Sequence, residues 1–77
     1  MKYLEASLSG ASASGKTLRW ALVPKAGGQP VGDVEWYAPW RKYCFTPRSG
    51  TVFDQGCLRE IADFCEQRTQ EHRSKPA

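Results

Sequence analysis

The sequence is poor in the residues that enzymes and metal sites depend on most. Its 77 residues include one histidine, His72, and one methionine. No stretch approaches the roughly 18 consecutive apolar residues of a membrane-spanning helix. The opening Met1-Lys2-Tyr3-Leu4-Glu5 lacks the apolar centre of an export signal. These absences point to a cytoplasmic protein with no membrane partner. Cysteine is scarce and odd in number, and Cys44, Cys57 and Cys65 show no Cys-x-x-Cys spacing, which excludes a disulfide framework. On a helix Cys57 and Cys65 would share one side about 12 Å apart, too far for a bridge. All three read as reduced, mostly buried small hydrophobes. His72, near the chain end, is a poor fourth ligand for a zinc site, so neither metal nor cofactor is expected. Charge of one sign is also lacking. The 11 Lys+Arg stand against 8 Asp+Glu, a formal +3, which permits nucleic-acid contact without demanding it.

The length leaves room for one small domain. It excludes a two-domain enzyme, a nucleotide-binding domain of ordinary size and a solenoid of several repeats. A domain of this size buries only about 60% of its unfolded surface. Three Trp, three Tyr and three Phe offset that, since each large ring buries roughly 150–250 Å².

Residues 3–8 alternate, with Leu4, Ala6 and Leu8 on one side, as a half-buried strand does. Small and polar residues 9–16 predict a flexible loop. A second strand over 17–23 sets Leu18, Trp20 and Leu22 on one face and meets Pro24. Gly27-Gly28 then suits a turn with positive φ. A third strand spans 31–37, Ala38-Pro39 bends the chain, and a fourth strand spans 40–46, followed by a turn at 47–50. The period then changes: Cys57, Leu58, Ile61, Phe64 and Cys65 form one helical stripe. Asp54 is a good N-cap, Phe53 can staple onto Leu58, and Arg59 and Asp63 are spaced as an i,i+4 pair. The helix is expected from Asp54 or Gln55 to near Gln70. The fold class is therefore α+β, a small four-stranded, mainly antiparallel sheet with one C-terminal amphipathic helix packed on one face. Residues 1–71 form the single domain and 72–77 a polar tail. One helix covers one sheet face, and the other is exposed or closed by a partner. A homodimer would bury that face.

Gly10-Ala11-Ser12-Ala13-Ser14-Gly15-Lys16-Thr17 matches the phosphate-loop pattern G-x-x-x-x-G-K-[ST] letter for letter. A true phosphate loop runs from a strand into a helix. Here Leu18 to Val23 alternates like a strand and ends at Pro24, so the segment reads as a hairpin loop in which Lys16 is a candidate phosphate contact and no more.

Residues 36–45 hold five aromatics and two cations, Trp36-Tyr37-Ala38-Pro39-Trp40-Arg41-Lys42-Tyr43-Cys44-Phe45. Residues 36–50 carry Arg41, Lys42 and Arg48 with no acid, so the chain's net positive charge in effect sits there. Aromatics interleaved with cations suit single-stranded nucleic acid, where rings stack on bases and cations track phosphates. Trp, Tyr and Arg also make protein hot spots. Trp36, Tyr43 and Phe45 are assigned to the core beneath Leu58, Ile61 and Phe64. Tyr37 and Trp40 are expected at the surface, and one of Arg41 and Lys42 beside Trp40. The candidate partner-binding set is Tyr37, Trp40, Arg41, Lys42 and Arg48. Catalysis is not expected. His72 reads as a helix-end cation, Asp33 and Glu35 as a solvated strand face, and Cys44 has no base beside it.

The C-terminal half resembles a family of small proteins of bacteriophages and other mobile elements. The likeness runs through Gly32, Val34, Trp36, Tyr37, Trp40, Arg41, Tyr43, Phe45 and Pro47. It continues in Thr51-Val52-Phe53-Asp54 and in Cys57, Leu58, Ile61, Ala62 and Phe64. The resemblance implies a phage or prophage origin and a bacterial host cytoplasm. It also implies an accessory factor that binds a host protein or nucleoprotein complex, a CRISPR effector among them. Direct binding of single-stranded nucleic acid through the same patch is the alternative.

Overall fold

The structure, a computed structural model, describes residues 1–74. Strands β1 (Leu4–Ala11), β2 (Leu18–Pro24), β3 (Gly32–Tyr37) and β4 (Lys42–Pro47) precede one helix, α1 (Gln55–Ser74). The sheet order is β1-β2-β3-β4 and every neighbouring pair is antiparallel. This is the expected α+β architecture, an open meander covered on one face.

Register decides which residues meet the helix, because residues directly opposite each other share a face. Leu8, Trp20, Val34 and Phe45 lie in one row, Ala6, Leu22, Gly32 and Pro47 in the next, and Trp36 stands opposite Tyr43. Leu4, Leu22, Val34, Tyr43 and Ile61 form the buried core, and Trp20, Trp36, Phe45, Phe53 and Cys65 pack against it. Phe64 is also buried, edge-on to Trp20 at 5.4 Å. The core roles expected of Trp36, Tyr43 and Phe45 hold, but Leu58 is half exposed. Phe53 turns from Leu58 to the ring of Phe45, 5.5 Å away, and the two rings meet edge to face.

Gly32 owes its identity to Phe45. A Cβ there would overlap the Phe45 ring and stand 2.5 Å from the Thr46 carbonyl oxygen. Gly27 and Gly28 take φ of 102° and 109° in the β2–β3 turn, the positive values that L-residues avoid.

The opposite sheet face carries Ser7, Ala21, Asp33 and Thr46 in one row and Glu35 beside Cys44 in another. Asp33 and Glu35 do share this face. They are tied down there, Glu35 by Arg19 at 3.0 Å and Asp33 by Arg48 at 3.6 Å.

Several boundaries move. β1 runs on through Ser9-Gly10-Ala11, expected as loop, because Gly10 and Ala11 pair with Arg19 and Leu18 across a register shift after Leu8. β4 begins at Lys42, since Trp40 and Arg41 are consumed by the turn. At the helix start, Asp54 Oδ1 accepts the Cys57 N–H at 2.9 Å, the expected cap. The helix ion pair is Arg68–Glu71 at 2.8 Å, in place of the expected Arg59–Asp63. The helix continues past Gln70 to Ser74, so His72, Arg73 and Ser74, expected in the tail, are helical. The rest of that tail, residues 75–77, lies outside the described residues.

Candidate functional site: a basic and aromatic end of the sheet

Three segments converge at one end of the sheet. The β1–β2 loop is tied to it by the Leu18 N–H, which donates to the Tyr43 hydroxyl at 3.3 Å. The last turns of α1 are tied to it by the Thr69 hydroxyl, which accepts the Tyr43 N–H at 3.0 Å. Between them lies the β3–β4 turn, residues 38–41.

The turn sequence explains its shape. Ala38-Pro39 cannot continue a strand, because Pro39 has no N–H and biases its predecessor. The N–H of Trp40 donates to Tyr37 C=O at 3.2 Å, and that of Arg41 to the same carbonyl at 2.9 Å. Arg41 closes the turn with φ 55°, the left-handed position that a hairpin loop of this length normally fills with Gly or Asn.

Trp40 is 64% exposed and Tyr37 45%. Their rings meet edge to face, 4.9 Å apart at 78°, an arrangement that fixes both without burying either. Lys42 stands opposite Tyr37 in the register. Arg41 lines a shallow pocket with Trp36, His72 and Arg73. Lys42 lines a second pocket with Thr69, Gln70 and Arg73 of the helix, so both cations border its last turns. Arg73 Nη2 donates to the Arg41 carbonyl at 3.3 Å. His72 lies against Trp36 with centroids 4.4 Å apart. Trp36 in turn meets Tyr43 edge-on at 5.3 Å, and Tyr43 meets Trp20 at 5.5 Å. A continuous run of rings therefore links the surface at His72 to the core at Phe64.

The structure brings Tyr37, Trp40, Arg41 and Lys42 together. It separates Arg48, which follows the far end of β4, donates its backbone N–H to Val31 and pairs with Asp33. Charge count along the chain groups Arg48 with the others, but six residues of extended β4 place it about 20 Å from the turn. Lys16 is exposed in the β1–β2 loop at the convergent end. That loop is a closed hairpin loop rather than a phosphate loop. The Ser12 N–H donates to Thr17 C=O and Gly15 N–H to Ser12 C=O, while Ser14 Oγ accepts from Lys16 N–H and Ser12 Oγ from Thr17 N–H. The N–H groups of Ser12, Gly15, Lys16 and Thr17 are thus spent within the loop, and strand β2, not a helix, follows it. His72 and Arg73, expected in the tail, are members of this end. Their signal was there: His72 continues the helical stripe of Ile61, Cys65 and Thr69.

Among the described residues, no group of three or more His, Cys, Asp and Glu is placed to hold a metal ion. No helix among them is long and apolar enough to cross a membrane. Burial, and secondarily the nearby Cys44, push the Cys65 thiol up to about 11, which holds it as an unreactive neutral group at neutral pH.

An uncharacterised 9.3 kDa protein of Acholeplasma phage L2 is 31% identical to this chain over 58 residues, covering 75% of this chain and 74% of the phage protein. The chain belongs to the family of that phage protein. No protein-family model matches the chain, and no solved structure does.

Proposed function

We propose that this member of a phage protein family is a non-enzymatic accessory factor that docks on a host nucleoprotein, with the β3–β4 turn as its anchor. A defence complex of the CRISPR-effector kind is one target of that class. The observation that carries the reading is the Tyr37–Trp40 pair, two large rings held rigid at the tip of a hairpin and left in water, with Arg41 and Lys42 beside them free of any carboxylate partner among the described residues. Exposed Trp, Tyr and Arg around a rigid centre is the composition of binding hot spots. Holding both rings in place before contact lowers the entropy cost of docking.

A nucleic acid stacked along the open sheet face is the weaker reading. That face presents Ser7, Ala21, Asp33, Glu35, Cys44 and Thr46, with Tyr37 as its one ring, whereas stacking platforms set several rings in a row.

Comparative capture from a lysate of the phage's bacterial host, with wild-type protein and Trp40→Ala, tests the proposal. A specific complex that the variant loses, by about 2 kcal/mol or more in affinity, is the expected result. Equal retention by both proteins refutes the turn as anchor. Steeply salt-dependent binding to bare single strands, unaffected by protein partners, would replace the proposal with the nucleic-acid reading.

A further inference from the structure

We infer that the pocket between the β3–β4 turn and the last turn of α1 is a phosphate-binding site, formed by Arg41, His72 and Arg73 against the ring of Trp36. This deepens the docking reading by naming the chemistry recognised beside the anchor, and its test is independent of that reading.

Four observations carry it. Arg41, His72 and Arg73 line one pocket with Trp36, and no carboxylate lines it. Neither Arg41 nor Arg73 is in an ion pair among the described residues; the ion-paired arginines are Arg19, Arg48 and Arg68. Both guanidiniums therefore keep planar donor forks, the geometry that matches phosphate oxygens two at a time.

The third observation is the backbone of Arg41. Its φ of 55° is a conformation that glycine adopts freely and arginine does not. A turn serving only the hairpin has no use for arginine there. From this position Arg41 lines the pocket with His72 and Arg73 of the helix. Strain held at such a position is the kind found at ligand sites.

The fourth is rigidity on the helix side. Arg73 is bonded to the Arg41 carbonyl at 3.3 Å through one nitrogen, which fixes its position and leaves other donors of the fork free. The His72 ring is held by Trp36 at 4.4 Å, with Tyr43 behind it at 6.4 Å. The Arg73 guanidinium and the His72 ring are thus placed before any ligand arrives.

The chemistry recognised is a phosphate oxygen cluster. It has two sources, a free phosphate or monoester and the phosphodiester backbone of a nucleoprotein's nucleic acid. The test is a titration of the full chain with inorganic phosphate at constant ionic strength, following the Arg Nε–H and Trp indole N–H signals by NMR. Saturable shifts at Arg41, Arg73 and Trp36 are expected. Arg41→Gly is the decisive variant, because it relieves the left-handed position: phosphate should bind about tenfold or more weakly while Tm holds or rises. Arg73→Gln should weaken binding in the same way, and Trp40→Ala should leave it unchanged, so that failure of the anchor and failure of this site are separately visible. A short oligothymidylate that competes with phosphate for these signals assigns the site to a nucleic-acid backbone. Saturable phosphate binding without such competition assigns it to free phosphate or monoesters. Shifts that grow linearly without saturation, or an Arg41→Gly protein that binds phosphate as well as wild type, overturn the inference.

Discussion

The Thr69 hydroxyl on the helix accepts the backbone N–H of Tyr43 on the edge strand at 3.0 Å and donates to the Cys65 carbonyl at 2.8 Å. Thr69 is buried, 7% exposed. One side chain therefore satisfies a strand donor that has no neighbouring strand to receive it and fastens the helix to β4.

Thr69→Val keeps the shape and removes the acceptor. It leaves the Tyr43 N–H buried and unpaired, which costs about 1–3 kcal/mol. Urea unfolding should show that loss, and Thr69→Ser, which keeps the hydroxyl, should recover most of it. Equal stability of Thr69→Val and wild type would mean that water replaces the hydroxyl.

Gly32→Ala should destabilise by about 1–3 kcal/mol, because the added methyl meets the Phe45 ring and the Thr46 carbonyl. The carbonyl cannot move without breaking the β3–β4 ladder. Shrinking the ring in Gly32→Ala/Phe45→Leu should recover part of the loss. Denaturant midpoints of the single and double variants decide this, and a double variant no better than the single would place the clash on the backbone alone.

Much of this was legible beforehand. Alternation in residues 3–8 and 17–23 gave strands, and the stripe from Cys57 to Cys65 gave the helix. Periodicity reports which face a residue takes and is indifferent to where an element stops. The helix end was missed because Thr69 and His72 look polar, and only their contacts with Tyr43 and Trp36 show that the stripe continues. The turn was missed for a related reason. Arg41 occupies a glycine position, and nothing in the letter arginine announces φ 55°. Charge counting along the chain joined Arg48 to Arg41, and the length of β4 parted them.

Acid should weaken the helix start. The backbone hydrogen bond from Cys57 holds the Asp54 carboxyl below its usual range. A carboxyl depressed on folding contributes stability that is fully present above its unfolded value and lost as pH falls through the folded value. Asp54 thus contributes at neutral pH, and its contribution fades in the acid range below the ordinary carboxylate value. Asp54→Asn keeps a capping oxygen without the charge. Its Tm should lie below wild type at pH 7 and converge with it at low pH. A constant gap between the two across that range would mean that the carboxylate charge contributes nothing.

Lys16→Ala should change neither fold nor nucleotide response. The Ser12 and Ser14 hydroxyls and the N–H groups of Gly15, Lys16 and Thr17 are engaged within the loop, and a strand follows it, so Mg-ATP has no cradle to enter. Thermal denaturation of wild type and Lys16→Ala with and without Mg-ATP should give four equal midpoints within error. A rise in the wild type alone would restore the phosphate-loop reading.

The two margins of the sheet are unequal. On β4, Tyr43 spends its outward N–H on Thr69 and Pro47 has none to offer, which leaves the Phe45 N–H as the outward donor between them. On β1, the Lys25 N–H reaches Tyr3 C=O, and by the antiparallel alternation the amides of Ala6 and Leu8 point away from β2, with Leu8 60% exposed beside them. An added strand would find a run of outward donors along β1, but on β4 only an interrupted one, because Thr69 takes the first donor and Pro47 lacks the last.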